Sequence, residues 1–346
     1  MATDGYRVGV VGATGAVGST ILQVLAERDF PAREVIAFTS ERSAGTRVPW
    51  RGSELECVVL APDSIAGLDL VLSSAGGAVS AEWAPRLVDA GATVVDNTSY
   101  WRMHDDVPLV VTEVNPEAAD AHHGILANPN CSTMQMVVAL APLQRAVGIE
   151  RIVVSTYQSV SGTGRRAIDE LRSQSRAVLD GNAAEADVYP HQIAFNVIPQ
   201  VETFKGGDDY TTEERKVMAE TRKILGLGEE VGISATCARV PVVTGHSESV
   251  NVQTREDLSP DDCRELLAEA PGVVVVDDPA AGRYPMAIDA AGRDEVLVGR
   301  IRRDPGHERC LNLWVVGDNL RKGAATNAVQ VAELLVERKL LLGSRE

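Results

Sequence analysis

Cys131 stands in Asn128-Pro129-Asn130-Cys131-Ser132-Thr133, directly ahead of an apolar helical stretch. Pro129 interrupts any regular element before it, and Asn130 is a good N-cap residue. That places Cys131 in the first helical turn, where the positive helix end favours a thiolate. A thiolate there can attack a carbonyl carbon and carry an acyl group. Cys237 and Cys310 lie in strand-like segments and read as small buried hydrophobes, while Cys57 and Cys263 have no supporting context. No CxxC pair or Cys/His cluster has metal-ligand spacing, so no metal is expected.

Two glycine-bearing turns are the other chemical candidates. Gly12-Ala13-Thr14-Gly15-Ala16-Val17-Gly18 joins a strand-like run to a helix-like one. Such a turn brings the backbone close to a pyrophosphate and aims free helix N–H groups at it. Gly12, Thr14, Gly15, Ala16 and Val17 are the expected contacts, although the spacing is G-x-x-G-x-x-G rather than G-x-G-x-x-G. At the end of the second strand, Ser40, Arg42 and Ser43 suit the 2′-phosphate of NADP, and Glu41 dissents. The second turn, Gln158-Ser159-Val160-Ser161-Gly162-Thr163-Gly164, could offer N–H groups to a cofactor or anion. Gln158, at its strand's end, could orient a substrate carbonyl.

The elements that must position these groups follow from periodicity. Strands are expected at residues 6–11, 34–38, 68–72 and 93–96, with helices at 16–28 and 81–90. That alternation predicts a parallel sheet covered on both faces. After about residue 130 the pattern changes. A long helix over 131–146 precedes strand candidates at 151–159, 234–240, 249–254, 296–302 and 310–316, as in a mostly antiparallel sheet with one covered face. Residues 205–210 and 277–294 read as loops, and a terminal helix is expected over 324–342.

The chain's 346 residues suffice for two cores. With 33 basic against 49 acidic residues, the net charge of −16 repels nucleic-acid phosphate and anionic lipid, so neither partner is expected. An anionic substrate must then be met by a few local cations. No apolar run approaches the roughly 18 residues of a membrane span. The polar start lacks a signal-peptide pattern, and five scattered cysteines fit a reducing cytoplasm.

Together the turn GATGAVG, the block NPNCST, the block YQSVSGTG and the later block RVPVVTGHSESV resemble aspartate-β-semialdehyde dehydrogenase. They occur in that family's order, and the similarity runs along nearly the whole chain. The resemblance implies an α/β chain with an N-terminal Rossmann-like NADP-binding domain, residues 1–130 completed by 319–346. An α+β catalytic, substrate-binding and dimerisation domain, residues 131–318, would carry the mostly antiparallel sheet. The implied activity is NADPH-dependent reduction of L-aspartyl 4-phosphate to L-aspartate 4-semialdehyde with release of phosphate, in the biosynthesis of lysine, threonine, methionine and isoleucine.

Carried over position by position, Cys131 becomes the nucleophile that forms a thioester, and His246 the acid/base. Gln158 steers the acyl intermediate. Arg239 holds the substrate carboxylate, and its planar fork suits that partner. Gly245 permits an unusual backbone angle just before His246. Glu213 faces the substrate amine, with Glu214 the alternative one position on. Glu213 and Lys216, three apart, share a helix face, which also allows a plain surface ion pair. Arg102 and Lys216 are the implied phosphate-binding cations, although Arg102 could instead pair with Asp105 or Asp106. Asn130 is counted among the substrate ligands, and Ser161, Gly162 and Asn319 among the cofactor contacts. The partners implied are the substrate, phosphate and a second copy of the chain. Two other readings stay open: N-acetyl-γ-glutamyl-phosphate reductase, and a catalytically silent NADP-binding sensor.

Overall fold

The computed structural model describes residues 5–344 and divides into two compact units. The first runs up to Asn130 and resumes at Ala324; the second is Cys131–Gly323. The return to the first unit thus falls five residues after Asn319, the boundary expected from sequence. Asn319 ends up inside the second unit because its side chain is bonded there, as described below.

In the first unit, six parallel strands lie in the order Val58–Val59, Ala32–Thr39, Tyr6–Val11, Leu70–Ser73, Thr93–Asp96, Ile125–Ala127. Alternate residues of each strand feed opposite faces. Val8, Val10, Leu70 and Leu72 pack with the helices Ala16–Glu27 and Asn327–Glu337, through Ile21, Leu22, Val329 and Leu335. Val11, Val71 and Val94 form a second cluster with Leu87 of the helix Gly77–Asp89. A hairpin, Arg47–Trp50 with Ser53–Glu56, has no counterpart among the strands expected from sequence; Arg51 and Gly52 at its tip both have positive φ.

In the second unit, six strands lie in the order Gly232–Arg239, Ile149–Gln158, His246–Thr254, Cys310–Gly317, Val296–Arg303, Val273–Val275. The three inner pairings are antiparallel and the two outer ones parallel, so the sheet is mixed. The helix Cys131–Val147 packs against it, and every side chain from Ser132 to Leu143 is buried. The helix Thr212–Leu225 packs against both that helix and the strand Gly232–Arg239. Its start is fixed by a capping box between Thr211 and Glu214, and its end by Gly226 in the left-handed conformation.

The terminal helix begins at Asn327 rather than Ala324, and the six residues before it, Arg321–Thr326, form a π-helical turn. Among the described residues, no helix is long and apolar enough to cross a membrane.

Candidate active site

In the second unit the thiol and the imidazole meet. The helix opens at Cys131, so Asn130 holds the N-cap position, and the strand opens at His246. Cys131 Sγ lies 3.2 Å from His246 Nε2. The thiol is half-buried, the only cysteine of the five that is not fully buried. Burial pushes the Cys237 thiol above the range of a reactive cysteine and the Cys263 thiol up to about 12, which removes both as nucleophiles.

His246 is fully buried, and its imidazolium is disfavoured by desolvation and by the Arg239 charge. Its Nδ1 receives the backbone N–H of Ser159 at 3.0 Å and stands 3.1 Å from the Ser159 hydroxyl. Gly245 has φ +93°, and a Cβ there would approach the Ala287 carbonyl oxygen to 2.8 Å. Only glycine turns the chain into His246 at this point.

Arg239, at the end of its strand, is buried and donates from Nη1 to the Ser159 carbonyl at 2.7 Å. Its guanidinium also lies 5.9 Å from the Tyr189 ring centroid. Nε has no partner among the described residues. A buried cation with an unspent donor suits an incoming carboxylate.

Gln158 is buried and donates from Nε2 to Glu213 Oε1 at 3.0 Å and to Thr156 Oγ1 at 3.3 Å. With its amide hydrogens engaged there, the atom left for a ligand is the acceptor Oε1. Glu213 Oε2 stands 3.6 Å from Lys216 Nζ, which also bonds Glu202. Glu214 is spent elsewhere: its carboxylate accepts the N–H groups of Thr211 at 2.7 Å and Cys237 at 2.9 Å. Of the two neighbouring acids, Glu213 is therefore the one joined to Gln158.

Asn319 is buried, and its Oδ1 accepts from Gly245 N at 2.9 Å, Ser159 Oγ at 2.9 Å and Ser161 Oγ at 3.2 Å. Its Nδ2 donates to Ser161 Oγ at 2.9 Å. The side chain expected to meet a cofactor thus ties the turn after Gln158 to the residue before His246. A Cβ on Gly162 would come within 3.3 Å of both Arg239 Nη1 and His246 Cε1, so this glycine leaves open the space beside the imidazole.

Ser159, Gln135 and Glu248 are site residues that sequence reasoning missed. Gln135, one turn after Cys131, donates from Nε2 to the His246 carbonyl at 3.2 Å. Glu248 is fully buried beside Gln135, and burial drives its carboxyl well above the usual range. Ser159 and Glu248 fall within the blocks that carry the resemblance, but only tertiary contacts distinguish them from ordinary strand and turn residues.

The remaining candidates lie in the first unit. Gly12 has φ +84°, and a Cβ on Gly18 would stand 2.1 Å from the Gly12 carbonyl oxygen, so both must be glycine for the turn to close. Thr14 is exposed and its hydroxyl is 3.1 Å from that of Thr39. Gly15 is also exposed, while Ala16 and Val17 open the helix half-buried. This cradle fits a dinucleotide pyrophosphate. Ser40, Arg42 and Ser43 lie on a short 3₁₀ turn, where Arg42 is exposed and makes no ion pair among the described residues. Arg102 is buried and donates from Nη2 to the Asn97 carbonyl at 2.8 Å.

Two family models match the chain: the semialdehyde dehydrogenase NAD-binding domain over residues 7–122, and the semialdehyde dehydrogenase dimerisation domain over residues 140–322. The aspartate-semialdehyde dehydrogenase of Aquifex aeolicus is 53% identical over 341 residues, covering 97% of this chain and all of the relative. Vibrio cholerae aspartate semialdehyde dehydrogenase II, solved complexed with ASA, superposes with a TM-score of 0.94 at 47% identity, over 97% of this chain and 99% of that one. The Candida albicans enzyme, solved with NADP, gives a TM-score of 0.75 at 25% identity, over 97% and 99%. With both domain models matched in order and near-full-length identity of about half, the chain belongs to the aspartate-semialdehyde dehydrogenase family.

Proposed function

We propose that the chain reduces L-aspartyl 4-phosphate to L-aspartate 4-semialdehyde with NADPH and releases inorganic phosphate, with Cys131 as the nucleophile. The observation that carries this reading is the 3.2 Å approach of Cys131 Sγ to His246 Nε2, beside a buried guanidinium that still has a donor to give.

The Cys131 thiolate, favoured at the helix N-terminus, attacks the acyl carbon. A carbon–sulfur bond forms, the carbon–oxygen bond to phosphorus breaks, and phosphate leaves with the electron pair. NADPH, when bound, supplies the hydride that brings the acyl carbon to the aldehyde level. Gly12, Thr14, Gly15, Ala16 and Val17 would hold its pyrophosphate, and Ser40, Arg42 and Ser43 its 2′-phosphate. Ser161, Gly162 and Asn319 are the proposed contacts of this cofactor on the catalytic unit. Collapse of the tetrahedral carbon breaks the carbon–sulfur bond and returns the thiolate, while His246 Nε2 manages the proton beside Sγ. Arg239 takes the substrate carboxylate, Glu213 the ammonium, and Gln158 steers the acyl intermediate. Arg102 and Lys216 take phosphate, and Asn130 borders the nucleophile.

We also propose a homodimer in the cytoplasm. The matched dimerisation-domain model and the exposed Tyr157, Tyr284, Met286 and Ile288 support the first. Five free thiols support the second.

The test is reduction of NADP by L-aspartate 4-semialdehyde, followed spectrophotometrically with and without phosphate. Phosphate-dependent turnover is expected. Turnover only with the semialdehyde of N-acetylglutamate would reassign the substrate, and none with either would end the dehydrogenase reading.

A further inference from the structure

Between the helices Arg165–Leu179 and Thr212–Leu225 the chain has neither helix nor strand. A stretch that long without regular structure is uncommon inside a compact unit, and it usually serves a function. Its middle is fixed at several points. Glu170, buried on the first of these helices, accepts the backbone N–H groups of Asp187 at 3.0 Å, Val188 at 2.5 Å and Tyr189 at 3.4 Å. Gln174, buried one turn on, accepts from Ile193 N at 2.9 Å and Ala194 N at 3.1 Å. Further along, Ile198 and Arg239 exchange both backbone hydrogen bonds, at 3.0 and 2.8 Å. The segment is therefore a strap, tied at one end to the helix and at the other to the strand end that carries Arg239.

Tyr189 lies between the ties. It packs with Val188 against the cluster that includes Val160, Ile168 and Leu171, and its hydroxyl donates to Thr163 Oγ1 at 3.0 Å. So held, its ring is covered by the Arg239 guanidinium, 5.9 Å from the ring centroid.

That arrangement answers a difficulty peculiar to a substrate-binding arginine. A buried guanidinium needs a counter-charge, yet a protein carboxylate in that role would compete with the substrate for the same N–H groups. Among the described residues no carboxylate pairs with Arg239. An aromatic face stabilises the cation without taking any of its donors. With Nη1 on the Ser159 carbonyl and Nε without a partner, the edge left for a carboxylate is Nε with Nη2.

We propose that Tyr189 is a positioning residue that makes the site selective for substrates bearing a carboxylate, its strapped ring holding the plane of the Arg239 guanidinium ready for the ligand. Glu170 contributes at one remove, by fixing the backbone from which the ring projects. The proposal rests on the reading of Arg239 as the carboxylate ligand.

The test compares L-aspartate 4-semialdehyde with 3-aminopropanal, the same aldehyde without its carboxylate, in wild type, Tyr189→Leu and Tyr189→Phe. Leucine fills the place of the ring but has no π face. The ratio of kcat/KM for the two aldehydes should fall about tenfold in Tyr189→Leu, through a higher KM for the semialdehyde. Phenylalanine keeps the face and loses only the bond to Thr163, so Tyr189→Phe should restore the ratio to within about twofold of wild type. A merely structural disturbance lowers both aldehydes together and leaves the ratio where it was. An unmoved ratio in Tyr189→Leu, or a ratio in Tyr189→Phe as low as in Tyr189→Leu, overturns the proposal.

Should Tyr189→Leu fail to fold, Glu170→Gln decides. One amide oxygen cannot accept what two carboxylate oxygens do, so the strap loosens and the ratio should fall about threefold; an unmoved ratio overturns the proposal. Without NADP, both aldehydes should also protect Cys131 from iodoacetamide as reversible adducts, and the ratio of half-protecting concentrations should shift in the same way. If wild-type enzyme oxidises neither aldehyde, the dehydrogenase reading ends, and the protection ratio alone decides on Tyr189: a shift in Tyr189→Leu upholds its role and no shift overturns it.

Discussion

A β-carbon on Gly162 would stand 3.4 Å from His246 Nε2, the ring atom that faces the Cys131 sulfur. It would also lie 3.3 Å from Arg239 Nη1. The backbone at Gly162 does not have positive φ, so alanine meets a problem of space rather than of conformation. Gly162→Ala should therefore leave thermal stability nearly unchanged while pushing the imidazole or guanidinium by a few tenths of an ångström. Misplacement on that scale should reduce kcat/KM about tenfold. Wild-type kinetics in this variant would mean that the space beside Nε2 is not used.

Replacing the nucleophile gives a cleaner separation of binding from chemistry. Cys131→Ser keeps the helix start and the side-chain volume but puts a poor nucleophile where a thiolate is needed. NADPH binding, read by fluorescence titration, should stay within twofold of wild type. Turnover should fall by at least about a thousandfold. A variant with near wild-type kcat would remove Cys131 from the chemistry.

Arg239→Lys tests the geometry of the cation rather than its charge. An ammonium cannot hold the Ser159 carbonyl and also meet both oxygens of a carboxylate, as the guanidinium can. The expected result is a fall in kcat/KM for the semialdehyde of about a hundredfold, mostly through KM. Unchanged kcat/KM would take Arg239 out of the substrate site.

Local chemistry made part of this site legible, and tertiary bonding hid the rest. The capped start at Cys131 and the glycine before His246 are written in residues next to the groups they place. The phosphate turn is equally local: Gly12 and Gly18 are needed because helix and strand touch there. Asn319 is different. Its sequence neighbourhood suggests only a chain turning into a helix, yet its side chain joins two distant segments, 319 to 159 and 319 to 245. The π-helical turn has no signal either, since Arg321–Thr326 has ordinary helical composition and the expected helix runs straight through its second half. Glu248 sits in an alternation of Ser247, Glu248 and Ser249 that looks solvent-facing, until the helix Cys131–Val147 is laid across that side of the strand.

Cofactor choice should respond to Arg42. It is exposed on the 3₁₀ turn after the second strand, with no ion pair among the described residues to compete for it. Arg42→Ala removes the cation proposed to face a 2′-phosphate and adds nothing for a free ribose. KM for NADP should rise about tenfold while that for NAD stays within twofold. Equal effects on both cofactors would place Arg42 outside the 2′-phosphate site.

Glu248 gives a prediction about stability and pH. Burial holds its carboxyl well above the usual range, so the folded chain keeps a proton that the unfolded chain releases from about pH 4.3 upward. Between those two values the unfolded state binds fewer protons than the folded one, and stability is lost as the pH rises. A glutamine in its place is neutral in both states and nearly the same shape, so Glu248→Gln removes that loss. The depressed imidazole of His246 works in the opposite sense, weakening the fold as the pH falls below its usual value, but it is common to both proteins and cancels. Melting curves should therefore nearly coincide at pH 4 and separate toward pH 7, with the variant higher by about 2–4 °C for each kcal/mol of relieved penalty. A gap that does not widen with pH would mean that Glu248 releases its proton equally in both states, and that the carboxyl is not held neutral beneath the sheet.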